Sequence, residues 1–201
     1  MTRTRVLWLA SAALLALALA SMQSCSSTPR RDPTGERFPT VEGEALSGET
    51  VTVPDDLLGA PALLMVGYLQ KTQFDLDRWL TGLEFAKRDG RLPADLQVRE
   101  MPTIENLFAR MAGGFIDEGM RGGIPKEDWS AVVTVYGDAS SIVEFTGDED
   151  GNNGRVLLLD REGTVVWFHD RGFSSGKLGE LLNALDAMNP SASQESEPAG
   201  R

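Results

Sequence analysis

Few side chains here are equipped for chemistry. The single histidine, His169, stands beside Asp170, a pairing that could orient a general acid or base. A histidine at the surface end of a strand is the competing reading. The run Asp148-Glu149-Asp150-Gly151-Asn152-Asn153-Gly154 opens with the acidic spacing of a calcium loop. Asn153, however, takes the place of the turn glycine and Leu159 that of the bidentate glutamate, so a polar connection before a strand explains it as well. Gly119 to Ile124 (G-M-R-G-G-I) sets Arg121 among three glycines. Open backbone and a guanidinium fork suit a carboxylate or phosphate, while a helix C-cap followed by a turn accounts for the same glycines. No G-x-G-x-x-G or P-loop motif is present. One cysteine and one histidine leave zinc and copper almost no ligands, so no metal and no cofactor is expected.

The elements that must hold these groups alternate between strand and helix. Val51 and Val53 form a short opening strand before Pro54. Ala62 to Tyr68 (A-L-L-M-V-G-Y) is a continuous apolar run, as for a strand buried on both faces. A helix follows, with Thr72 and Asp75 at capping-box spacing, Leu76, Trp79, Leu80 and Leu83 at helical spacing, and Gly90 to end it. Leu96, Val98 and Glu100-Met101 give a strand closed by Pro102. Thr103 caps a helix with Ile104, Leu107, Phe108, Met111 and Phe115 on one face. Ala131 to Tyr136 is a strand, Asp138 to Phe145 a short helix or turn. Arg155 to Phe168 is a β-hairpin turning at Asp160-Arg161-Glu162-Gly163. Lys177 to Met188 carries Leu178, Leu181, Leu182 and Leu185 on a terminal helix. The order implies an α/β domain, a mixed sheet with helices on both faces and a C-terminal hairpin plus helix.

From Phe38 to Met188 the chain resembles the thioredoxin-like superfamily. The likeness rests on the buried strand ending Val66-Gly67-Tyr68 before a helix and on the L-L-L-D-R-E-G-T-V-V-W hairpin. A narrower likeness, to the thioredoxin-like assembly-factor family of the ATP synthase membrane sector, rests on Pro102-Thr103-Ile104, the run Phe115 to Pro125, and a strand ending Tyr136-Gly137-Asp138. The superfamily places its reactive cysteine after the first of these strands. Here that loop reads Leu69-Gln70-Lys71-Thr72-Gln73-Phe74-Asp75. Aligned on Gly67-Tyr68, Lys71 and Asp75 stand where a C-x-x-x-C pair of the copper-chaperone-like members belongs. Thiol exchange needs a thiolate and usually a second sulfur, so disulfide exchange and peroxide reduction are not expected. Lys71, Asp75 and Arg121 remain candidate binding residues, and no catalytic residue is assigned.

The one cysteine is Cys25. Arg3 and Arg5, the apolar run Val6 to Ala20 and the small-to-polar Ser21-Met22-Gln23-Ser24 before it follow the plan of an export signal, too short for an ordinary membrane span. The segment resembles the bacterial lipobox at Ser24 and departs from it at Met22 and Gln23. The expectation is a lipoprotein signal peptide over 1–24, lipidation of Cys25, a flexible tether over 25–40, the domain over 41–188 and a disordered tail over 189–201. A plain signal peptide or an uncleaved anchor are the other readings. Ser26 in place of Asp favours an outer membrane over the outer face of the inner one. Without Arg3 and Arg5 the chain has 17 basic against 30 acidic residues, a net charge of −13, which argues against nucleic acid as a partner.

Two functions fit. The first is a lipid-anchored, redox-inactive thioredoxin-like module that holds a protein partner at the extracytoplasmic membrane face. The alternative is a non-thiol enzyme using the Lys71/Asp75 loop or the Arg121 loop.

Overall fold

The computed structural model describes residues 28–104 and 120–188. Four strands make the main sheet, in the order β4-β3-β6-β7. β3 (Ala62–Gly67) pairs in parallel with β4 (Gln97–Pro102) and antiparallel with β6 (Arg155–Leu159), and β6 turns back as the hairpin partner of β7 (Val165–His169). A three-stranded sheet, β2-β1-β5, lies beside it. In it β1 (Val41–Ala45) pairs antiparallel with both β2 (Thr50–Val53) and β5 (Val133–Thr134). Bridges Glu100↔Val132 and Thr103↔Val135 run the other edge of β5 along β4, so the segment around β5 joins the two sheets.

Alternation along β3 sorts the core, because successive strand side chains point to opposite faces. Leu63 and Met65 face one layer with Val156 and Leu158, covered by α1 (Gln73–Arg88) through Leu76, Trp79, Leu83 and Ala86, and by α3 (Ser175–Met188) through Leu181, Leu182 and Leu185. Leu64 and Val66 face the other layer with Leu157, Leu159 and Phe168, covered by α2 (Ala139–Thr146) through Ile142 and Phe145. This is the mixed sheet with helices on both faces that the strand–helix order implies. α1 stops where expected: Gly90 has φ of 70°, a conformation glycine takes without a Cβ clash. Gly163, at φ 84°, closes the β6–β7 turn. The helix expected after Thr103 falls largely on residues outside those described, as do the signal segment, Cys25 and the tail.

The N-terminal stretch differs from expectation. From Thr28 onward the segment expected as a tether is bound to the domain. Thr28 donates its N–H to Asp148 Oδ1 and accepts from the Asp148 N–H. Gly35 N–H bonds the Val165 carbonyl, Val165 N–H bonds that of Glu36, and Phe38 N–H bonds that of Gly163. Phe38 is fully buried, edge-on to Phe145 with ring centroids 5.5 Å apart. Its Ser, Pro and Arg content resembles a linker's. A single aromatic and a set of backbone partners far along the chain decide otherwise. β1 was likewise not expected, although Val41, Gly43 and Ala45 alternate inward as a strand requires.

Candidate functional site

The loop between β3 and α1 is a tight 3-10 turn, Gln70–Thr72. Thr72 does not cap α1, contrary to the capping-box spacing. Its hydroxyl accepts the Leu69 N–H at 3.3 Å and donates to the Gly151 carbonyl at 2.7 Å, tying the turn to the 148–154 loop. Asp75 is also turned away from its own helix end. Its Oδ2 accepts the Gly154 N–H at 3.0 Å and its Oδ1 the Phe173 N–H at 2.7 Å, with 5% of the residue exposed. A carboxylate so placed is a staple joining α1 to the loops before β6 and after β7. This corrects the expectation of Asp75 as a binding residue, since each oxygen is already engaged and the group is out of solvent. A Cβ at Gly154 would overlap Leu76 Cδ2, so any side chain there has to displace Leu76.

A buried cation braces the same loop from below. Arg155, 2% exposed, donates from Nε to the Gly147 carbonyl at 3.1 Å and from one terminal nitrogen to those of Asp150 and Asn153 at 2.7 and 2.9 Å. Its guanidinium lies 4.9 Å from the centroid of the Tyr68 ring, and the Tyr68 hydroxyl meets Thr146 Oγ1 at 2.7 Å. The acidic run 148–154 is therefore a braced polar connection. Its carboxylates receive backbone donors: Asp148 from Thr28, Glu149 from Arg30, Asp150 from Asn152. Among the described residues no three His, Cys, Asp or Glu side chains converge as a metal site would require.

His169 is not at the surface. It is 8% exposed, stacked on Trp167 and edge-on to Trp79, both centroids at 5.9 Å, and its Nε2 meets the Gly172 carbonyl at 2.8 Å. Asp170 turns instead to Arg30, whose Nε donates to Oδ1 and Oδ2 at 2.9 and 2.7 Å; that bond raises the Arg30 pKa. Arg121 is placed elsewhere. Its Nε donates to the Leu46 carbonyl at 2.8 Å and its guanidinium lies over Trp129, so the structure brings it to the β1–β2 turn rather than to Lys71 and Asp75.

What faces solvent at the β3–α1 loop is Lys71, flanked by Leu69 and Phe74, which are 48% and 73% exposed. Leu69 packs over Gly151. Phe85, 60% exposed, continues the outer face of α1, three turns on from Phe74. Below them, Gln73 Nε2 donates to Asp77 Oδ1 at 2.9 Å and to Glu100 Oε2 at 3.1 Å. Burial pushes the Glu100 carboxyl upward in pKa, with Asp77 and Asp128 adding to the effect and the Gln73 bond opposing it. Sequence reasoning passed over Leu69 and Phe74. The signal was present: Phe74 lies off the Leu76-Trp79-Leu83 stripe that explains the other apolar residues of α1.

No protein-family model matches the chain, and no curated protein sequence matches it. Solved structures do. A protein assigned as a disulfide isomerase, from Bacteroides thetaiotaomicron, aligns with a TM-score of 0.54 at 17% identity, over 84% of this chain and 98% of that one. A thiol:disulfide interchange protein from Bacteroides sp. aligns at 0.50 and 16%, over 84% and 97%. BsSco, a member of the Sco family of cytochrome c oxidase assembly proteins, aligns at 0.51 and 10%, over 79% and 98%. The fold is thioredoxin-like. At these identities the likeness speaks for the fold and not for the activity.

Proposed function

We propose that this chain is a thiol-free thioredoxin-like module, anchored by lipid on Cys25 to the extracytoplasmic face of a membrane, that binds a protein partner through the Leu69–Phe74 surface. The observation that carries the reading is what the β3–α1 loop presents. In a fold shared with thiol:disulfide interchange proteins, this loop offers two exposed apolar side chains around a lysine. The one cysteine of the chain, Cys25, lies ahead of the domain, and the one carboxylate at the loop, that of Asp75, is spent on holding the backbone together. Apolar side chains clustered in solvent mark interaction surfaces, and a rigid platform beneath them reduces the ordering cost of binding. BsSco belongs to a family of assembly proteins, so the fold is compatible with such work. The apolar run 6–20, the small-to-polar stretch Ser21–Ser24 before Cys25 and Ser26 after it support export and lipidation, with the outer membrane favoured.

Crosslinking from the anchored protein tests the reading. Leu69→Ser with Phe74→Ser is expected to abolish capture of the partner while leaving thermal unfolding unchanged, and Cys25→Ser to release a folded protein from the membrane. Undiminished capture by the double variant refutes the surface. Measurable insulin reduction by the domain refutes the thiol-free reading.

A further inference from the structure

From Thr28 onward the segment that follows Cys25 is bound to the domain as a strap. Thr28 is bound in both directions to Asp148. Two residues on, Arg30 is locked to Asp170 through both carboxylate oxygens and lies over Phe168, while its N–H meets Glu149. Arg31 N–H bonds the Thr146 carbonyl, and its guanidinium lies over Phe145. The Pro29 carbonyl presses so closely on Gly147, at φ 75°, that a Cβ there would collide with it. Between Cys25 and the first docked residue lie Ser26 and Ser27, so the reach from anchor to domain is about 10 Å at full extension.

The docking point is at the same end of the sheet as the exposed surface. Asp148 and Glu149 belong to the loop whose Gly151 carries Leu69 and accepts the Thr72 hydroxyl. The opposite end holds the Asp160–Gly163 turn and the C-terminus of α1. From this we infer that the anchored protein stands with its Leu69–Phe74 end facing the bilayer, and that the surface there fits the segment of a membrane-embedded protein where it emerges from the lipid. The inference rests on the reading that Cys25 carries lipid. Two features select the occupant. A reach this short keeps the surface from partners out in the surrounding fluid. The loop beside it presents Asp148, Glu149 and Asp150 on a chain of net charge −13 without its leader, which disfavours immersion in anionic lipid and suits a segment with basic as well as apolar side chains.

The test uses the full chain, exported, purified and confirmed by intact mass to carry acyl chains, in phosphatidylcholine vesicles. Absence of acylation refutes the anchoring reading and leaves the geometry to be tested separately, by coupling Cys25 to a maleimide lipid and probing limited proteolysis at both ends. With acylation confirmed, a fluorophore is placed through Phe74→Cys or, at the far end, Glu162→Cys. Headgroup-level quenchers are expected to act at least about threefold more strongly on position 74 than on 162, and acyl-depth quenchers on neither. Inserting fifteen Gly/Ser residues between Ser27 and Thr28 is expected to erase the difference. Equal quenching in the unmodified chain overturns the orientation, and acyl-depth quenching at 74 replaces the protein segment with lipid. In cells, a photocrosslinker at 74 is expected to join a peptide adjoining a transmembrane span, with the yield falling severalfold on linker insertion. A joined peptide from a soluble protein overturns the occupant.

Discussion

Removing the Asp75 side chain tests the core of the site. Its two oxygens take the N–H groups of Gly154 and Phe173, one fully and one partly buried. Asp75→Ala strands both. A buried donor without a partner costs about 1–3 kcal/mol; the Gly154 amide bears the whole of that, and the Phe173 amide, nearer solvent, a fraction. The loss is then about 2–4 kcal/mol, a large share of the 5–15 kcal/mol typical of a domain. With a urea slope of about 2 kcal/mol/M, the unfolding midpoint of the Cys25→Ser protein should fall by about 1–2 M with the slope unchanged. Hydrogen exchange at the Gly154 and Phe173 amides should quicken more than at neighbours in β6. Asp75→Asn keeps one acceptor but sets its NH2 against the other amide, and should fall between. A midpoint shift under about 0.3 M for Asp75→Ala, with both amides still protected, would refute the staple and reopen the carboxylate as a binding group.

Gly154→Ala forces a methyl into Leu76 and is expected to cost about 1–3 kcal/mol; combined with Leu76→Ala the two losses should be less than additive in a denaturation cycle. Arg30→Ala leaves Asp170, 4% exposed, without its bidentate partner. The pair is intermediate between an exposed and a buried one, so a loss of about 1–2 kcal/mol is expected, with protease cleavage appearing near residue 30. Glu100 titrates above its ordinary value because of burial. The native state therefore keeps a proton that the unfolded chain has released, so this stabilising contribution is present at low pH and is lost as pH rises from about 4.5 through the raised value. Glu100→Gln should flatten the melting temperature over that window and raise it at neutral pH; an unchanged profile refutes the coupling.

Periodicity carried the elements whose partners lie close in sequence. The 62–68 run, the β6–β7 hairpin with its turn at Gly163 and the helix stop at Gly90 follow from local rules, and the structure keeps them. What failed shares one cause. Thr72, Asp75 and His169 each have a local role that their spacing suggests: cap, cap partner, surface histidine. Each is instead claimed by a group about 80 to 100 residues away or by a ring stack across the sheet. Phe38 hid in the 25–40 stretch whose composition reads as linker, because the hydrogen bonds of that stretch to Val165 and Gly163 leave no local mark. Leu69 and Phe74 were legible only by subtraction, as apolar residues the core does not use.

The strap's bonds join residues 120 and 140 positions apart, Thr28 to Asp148 and Arg30 to Asp170. Such closure cannot occur until nearly the whole domain has been made, and the entropy of a loop that long delays it further. On the proposed export and lipidation of Cys25, the chain from Thr28 onward is therefore undocked while that cysteine is cut free and acylated. Once Asp170 arrives, Arg30 draws that stretch down onto the finished sheet. The contacts that on that proposal set how far the protein stands from its membrane are thus late ones, formed only after the chain's own C-terminal half is present.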